Sequence, residues 1–173
     1  MKSNILSIAT LNNLLDYDAR KFVITEMQLK TILPSWMLKA NSSALRSVLQ
    51  RYLDYVQKHV HSLDFFIEEE KIGSLSLINR VMNAFIEETE TKLTSCADRE
   101  VKDACLLGSV QAINHFKISM YGTAAAFARA LGKEKAANIF REAESDEKQI
   151  DDRLSRLAEH EINIKAKNPI LST

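Results

Sequence analysis

The sequence predicts an all-α protein built as a four-helix bundle, and three observations carry that prediction. Four segments place apolar residues at alternating steps of four and three, the period of a helix with one buried stripe. Four Gly and two Pro punctuate the 173 residues, too few for a fold of many β-turns. Each stripe also carries a polar or ionisable residue near its middle, so the bundle is expected to have a polar waist. One domain is expected at this length. The 23 basic residues balance the 23 acidic ones, so no global field draws nucleic acid or an anionic membrane.

Residues 1–9 read as a flexible leader. Thr10 is the expected N-cap of the first helix, whose seam runs Leu15, Ala19, Phe22, Glu26, Leu29 and Leu33. Pro34 is expected to kink this helix without ending it, since Trp36-Met37-Leu38 extends the pattern. Asn41-Ser42-Ser43 forms the turn. The second helix begins near Ser43 with the seam Leu45, Leu49, Tyr52, Val56, His59, Leu63 and Phe66. The acidic run Glu68-Glu69-Glu70 and then Gly73 end it. A short extra helix over 76–93 presents Ile78, Val81, Met82 and Phe85 on one side.

Asp98 caps the third long helix, with Glu100 in its first turn where the helix dipole favours acid. This helix runs to about Leu131, and Gly132 is its expected C′ residue. Gly108 and Gly122 lie inside it, each at a cost of about 1 kcal/mol against Ala; close approach of a neighbouring helix is the expected reason. The fourth long helix, 133–160, has the seam Ile139, Ala143, Glu147, Ile150, Leu154 and Leu157. Residues 162–173, with Pro169, read as a loose C-terminal tail, which leaves 10–161 as the bundle.

Short turns make the first and second helices antiparallel, and likewise the third and fourth. The second must cross to the third through the short helix. Two antiparallel hairpins joined by one long crossover is the ferritin-like arrangement. Within it, Gln111, Asn114, His115 and Lys117 fall among the core-facing positions of the third long helix. A buried carboxylate is costly unless it is paired or coordinating, so Glu26 and Glu147 need partners, and His59 suits either. Glu26 precedes His59 by 33 residues and Asn114 precedes Glu147 by 33. Hairpins of matched length would bring these four to one height. Glu147 and Asp151 are four apart and share a helix face.

Cys96 and Cys105 are nine apart. On a single helix their separation would be roughly 13 Å, beyond the reach of a disulfide, and two unpaired thiols fit a reducing compartment. No secretory leader and no apolar run of about 20 residues is evident. A cytoplasmic location, away from membranes and nucleic acid, is the expectation.

Four stretches carry a family resemblance: Tyr17-Asp-Ala, Glu26-Met-Gln-Leu-Lys-Thr-Ile-Leu-Pro34, Asn114-His-Phe-Lys-Ile-Ser-Met-Tyr-Gly-Thr123 and Asp146-Glu-Lys148. They resemble the YciE/YciF group of bacterial ferritin-like proteins, over roughly residues 10–160. The resemblance implies a ferritin-like bundle, often a homodimer, associated with stress responses. It also implies a di-iron centre in the bundle core, the source of the ferroxidase label. By position, the metal candidates are Glu26, His59, Glu147 and Asp151, with Asp146 in the same acidic cluster. The departures are Tyr55, four before His59 where the family tends to carry Glu, and Asn114-His115-Phe116-Lys117, where it carries Glu-His-Tyr-Glu.

Those replacements remove bridging oxygens and add a cation beside the site. Lys117 and His59 are therefore expected to neutralise Glu26 and Glu147 directly, with iron absent or below one equivalent per site. The favoured function is a stress-associated ferritin-like protein whose degenerate site is metal-free and whose action lies at its surface or dimer interface. The alternatives are a ferroxidase or oxidase at a reduced one-metal or di-iron site, and a module that binds a small ligand in the bundle cavity. Tyr121 is expected to be a buried aromatic with a bonded hydroxyl, and His115 a satisfied core histidine.

Overall fold

Side-chain caps written in the sequence start the first four helices. The structure, a computed structural model, describes residues 7–73 and 78–167. The leader before residue 7, the first two positions of the expected short helix and the tail from residue 168 lie outside the described residues. Among the described residues every regular element is helical. Helix α1 (Leu11–Lys39) follows Thr10, whose hydroxyl accepts the Asn13 amide at 3.1 Å, and it continues through Pro34. Ser42 caps α2 (Ser43–Glu69), Asn79 caps α3 (Arg80–Ser95) and Asp98 caps α4 (Arg99–Ala130). After α4, Gly132 takes a φ of +70°. The Lys133 amide then reaches the Ala128 carbonyl, and the Gly132 amide that of Arg129. This Schellman closure suits a residue without a Cβ. Helix α5 (Glu134–Leu157) follows.

Three boundaries differ from the sequence reading. Helix α3 begins at Arg80, so Ile78 precedes it and Val81 faces outward, both exposed; its buried side is Met82, Thr89 and Leu93. On α5 the fully buried aromatic is Phe140, while Ile139 and Leu157 pack at the core's edge. Beyond Leu157 the chain widens into a π-helical stretch, Ala158–Ile162, and then α6 (Asn163–Lys167). Leu154, Ala158 and Ile162 stay in line at steps of four, and Ile162 is buried with the main core. The start of the expected loose tail is thus part of the packed bundle.

Contacts along the helices define the topology. Ser42 meets Glu161 and Phe66 meets Phe140, so α2 and α5 are antiparallel. Asn41 meets Asp103 and Glu26 meets Lys117, so α1 and α4 are antiparallel as well. With each hairpin antiparallel, α2 and α4 run the same way, and the chain must travel back between them. Helix α3 makes that return beside α1, through Asn79 to Thr25, Asn83 to Gln28 and Glu90 to Trp36. Two hairpins joined by one long crossover form the ferritin-like helical bundle.

The core divides into two apolar lobes. One gathers Leu33, Trp36, Leu49, Leu106, Ile150 and Leu154. The other is built on Leu15, Phe22, Phe66, Tyr121 and Phe140, with Phe140 edge-on to both Phe66 and Phe22. Asp103, fully buried on α4, accepts the Asn41 and Ser42 amides at 2.7 Å each. A carboxylate at the start of α2 satisfies amides that the helix itself leaves free. Gly122 does mark a close approach, since a Cβ there would meet the Glu144 carboxyl at 3.3 Å. Gly108 does not; open space lies beside it.

Candidate functional site

Between the lobes each of the four long helices contributes a polar side chain. Glu26 comes from α1, His59 from α2, Asn114 and Lys117 from α4, and Glu147 from α5. Glu26, Asn114, Lys117 and Glu147 are wholly inaccessible to solvent and His59 nearly so. The seams explain their placement, because each occupies a position in its helix where an apolar residue would otherwise face the core.

Lys117 holds the centre. Its Nζ lies 2.6 Å from Glu147 Oε1 and 2.9 Å from Glu26 Oε2, and 4.8 Å from the centroid of the Tyr52 ring. His59 Nδ1 lies 3.3 Å from Glu26 Oε1 and 3.5 Å from Glu147 Oε1, and its Nε2 lies 3.3 Å from Asp146 Oδ2. Asp146 also accepts from Lys58 at 2.8 Å. Neutral donors complete the shell. Tyr121 donates its hydroxyl to Glu26, Tyr52 donates to Glu147 Oε2 at 2.9 Å, and Asn114 Nδ2 donates to the same oxygen at 2.7 Å. Three cations face three carboxylates.

The electrostatics follow from this crowding. Burial alone would disfavour the Glu26 carboxylate, but the Lys117 and His59 charges and the Tyr121 hydroxyl outweigh it and hold Glu26 below the usual range. Glu147 is pushed up, by burial and by its neighbour Glu26, against the pull of Lys117. Two carboxylates sharing one ammonium ionise in this unequal way. Burial also works against a charged Lys117, yet the two glutamates raise its pKa and keep it an ammonium. His59 is raised too, since its bonds to Asp146 and Glu26 overcome desolvation. Tyr52 and Tyr121 are raised well above the ordinary phenol value, by burial first and the neighbouring carboxylates second, so both remain donors.

Three of the residues singled out in the sequence stand elsewhere. Asp151 does not join Glu26, His59 and Glu147. It accepts from Gln111 Nε2 at 3.0 Å and lies 2.7 Å from His115 Nε2, on the outside of the α4–α5 pair. His115 is an exposed residue, not a core histidine. Gln111 also is only part-buried, at the edge of the core stripe. On a helix each residue turns about 100°, which sends positions 111, 115 and 151 past the seam on the outer flank. Asp146, beside Glu147, reaches His59 from the opposite flank.

Could these residues hold two irons? Such a centre needs about six protein ligands with bridging carboxylates. Glu26, His59 and Glu147 do bring ligand atoms within 4.8 Å of one another. Those same carboxylates already contact the Lys117 ammonium, which repels a divalent ion and has no lone pair while protonated. Asn114 and Tyr52 donate into Glu147 Oε2, where a metal would need an acceptor. Tyr55 turns outward and donates to Gln149 at 2.9 Å. Glu26 Oε2 has no well-directed hydrogen bond, and the charge it faces is Lys117. The residues do not fit a di-iron centre. Lys117, Tyr52 and Tyr121 are all fully buried at the waist.

Comparisons with known proteins agree with this architecture. Residues 10–167 match the model of a family described as a domain of unknown function, DUF892. The chain is 31% identical over 144 residues to Protein YciF of Escherichia coli K12, covering 83% of this chain and 87% of YciF. The crystal structure of that organism's stress protein YciF superposes with a TM-score of 0.83 at 26% identity, over 91% of this chain and all of the other. A two-domain protein of Anabaena variabilis, with DJ-1/ThiJ/PfpI-like and ferritin-like domains, matches at a TM-score of 0.66 and 16% identity. That match spans 95% of this chain and 41% of the other, and it speaks to the fold alone. No helix among the described residues is long and apolar enough to cross a membrane. On the family match and the extent of likeness to YciF, the chain belongs to the YciE/YciF family, DUF892.

Proposed function

We propose that this chain is a stress-associated ferritin-like protein whose core is closed by ion pairs in place of a di-iron centre, and that it acts through its surface. In this reading it works as a cytoplasmic homodimer, with no nucleic-acid or membrane partner. One observation carries the proposal: the Lys117 ammonium bridges Glu26 and Glu147 at 2.9 and 2.6 Å, where two carboxylates of a metal site would meet their cation. The stress association rests on the likeness to YciF. A fixed side-chain cation places one positive charge between the two carboxylates without redox chemistry or an open coordination position.

A second reading keeps one metal. Glu26, His59 and Glu147 have ligand atoms within 4.8 Å, and a site formed on them would be an Fe(II)-oxidising centre with a single ion. It requires Lys117 to release its proton or swing away, against the raised pKa that its two carboxylate partners impose.

Elemental analysis separates these. Protein purified without a metal-affinity tag is incubated with Fe(II) in air, desalted and assayed for iron and for helicity. No retained iron in a folded chain is expected. About one iron per chain supports the single-metal reading, and about two, the ferritin-like complement, overturns the ionic core.

A further inference from the structure

Away from the waist, the α3–α4 hairpin brings together both cysteines. Helix α3 ends at Ser95 and α4 starts at Arg99, so the chain reverses within three residues, with Cys96 capping the end of α3 and Cys105 inside α4. The register is readable from the far end of the hairpin, where Phe85 packs on Phe116 with ring centroids 5.6 Å apart. Eleven residues on from Phe85 is Cys96, and eleven back from Phe116 is Cys105. Eleven residues make about three helical turns, which returns each helix to the same face. The two cysteines therefore oppose each other as the two rings do. The two thiols are close enough to act on each other, and Cys96 is among the groups that raise the Cys105 pKa, after burial. The sequence spacing, which assumed one helix, pointed the other way.

Access is built in as well. Both cysteines are part-exposed, and Cys105 lines a groove of about 470 Å³ between α3 and α4 with Phe85, Thr89, Lys92 and Gly108. Gly108 is one turn from Cys105, and the space a Cβ would take there is open. A glycine that no helix approach explains is accounted for by the groove it leaves open. Lys92 adds a positive charge that favours a thiolate on Cys105, while burial and the neighbouring sulfur oppose it.

We propose that Cys96 and Cys105 form a peroxide-oxidisable dithiol that closes to a disulfide across the α3–α4 hairpin. The chemistry balances with one equivalent of hydrogen peroxide. One cysteine, as its thiolate, attacks a peroxide oxygen, breaks the O–O bond and becomes a sulfenic acid, with loss of water after protonation. The second thiol then displaces hydroxide from that sulfur, forming the S–S bond and a second water. Two thiols are oxidised and one peroxide is reduced. The product ties the crossover helix to α4 and is reversed by an external thiol. Nothing in this inference depends on the content of the waist.

The test treats the reduced, desalted full chain with hydrogen peroxide and follows free thiols, intact mass and migration without reductant. Tryptic cleavage at Arg99 and Lys102 places the cysteines on separate peptides, so an internal disulfide leaves a linked pair that reductant splits. Both thiols should disappear together, with loss of two hydrogens from a chain that stays monomeric on the gel. The oxidised chain should unfold at higher urea than the reduced one, a difference absent from Cys105→Ser. In Cys96→Ser the remaining cysteine should gain oxygen atoms instead of forming the link. The proposal is overturned by oxygen addition to each cysteine independently in the wild type, by cross-links between chains only, or by persistence of both thiols at peroxide levels that oxidise Cys96→Ser.

Discussion

The apolar lobes and the waist between them are built on the same four seams, yet they obey different rules. In the lobes, stability comes from area: Leu33, Trp36, Phe140 and Leu154 each lose all exposure, and a fully buried side chain of this size contributes about 1.5–3 kcal/mol. Such contacts are non-directional, and trimming one leaves a cavity without stranding its neighbours. The waist stabilises only as a set. Removing one charge leaves another buried and unpaired, which costs more than the pair itself is worth.

The sharpest way to break this contrast is Lys117→Met, which preserves size and removes the shared ammonium. It should destabilise the fold by about 3–5 kcal/mol, read as a lower urea midpoint, because Glu26 and Glu147 then confront each other. An unchanged midpoint would mean that the waist is no ionic unit. Reverting Asn114→Glu together with Lys117→Glu should restore iron uptake if these two replacements are what closed the site.

Tyr121→Phe is the next step down. It removes one neutral donor from Glu26 while Lys117 and His59 remain, so a loss of about 1.5–3 kcal/mol is expected for a hydrogen bond to a charged group. In the adjacent lobe, Ile150→Val removes one methyl from a fully buried residue and should cost about 0.5–1.5 kcal/mol. The two should also differ in kind. The Tyr121 loss should vary with pH and the Ile150 loss should not.

The smallest effect expected is the alkaline limb of stability itself. His59 is raised in the folded state, so its contribution is full below the unfolded histidine value of about 6.5 and is lost as pH rises through the higher folded value. Asp146 is lowered, through His59 and Lys58 against burial, and contributes with the opposite sign. Its share is present above about pH 3.9 and disappears as pH falls through the folded value below that. Urea midpoints of chelator-treated protein should therefore decline as pH rises above about 6.5, and His59→Gln should flatten that decline. A decline of equal slope in His59→Gln would assign it to other groups.

Much of the bundle was legible because each long helix writes its buried face at a fixed period. Leu15, Ala19, Phe22, Glu26, Leu29 and Leu33 are all buried, as are the seven seam positions from Leu45 to Phe66. The waist was legible for the same reason, since an ionisable residue inside an apolar stripe has nowhere else to point. The matched 33-residue intervals become contacts, His59 with Glu26 and Asn114 with Glu147. The errors have physical causes. Asp146, Glu147 and Asp151 all stand near one helix face, and only the positions of α2 and α4 decide that His59 takes Asp146 while His115 takes Asp151. The role of Asp103 in the α1–α2 turn carried no local signal, because its partners are 61 and 62 residues away.

By itself, then, the sequence determined the helices, their buried stripes, their caps and the charges set into the core, because each of these is a property of neighbours within a few turns. Tertiary structure alone decided which charge meets which, how far the last helix stays packed, and that two thiols nine residues apart face each other. Those outcomes depend on where the chain reverses and how four helices are rotated about their axes. A shift of one residue turns a side chain by about 100°, enough to carry it from an ion pair in the core to water.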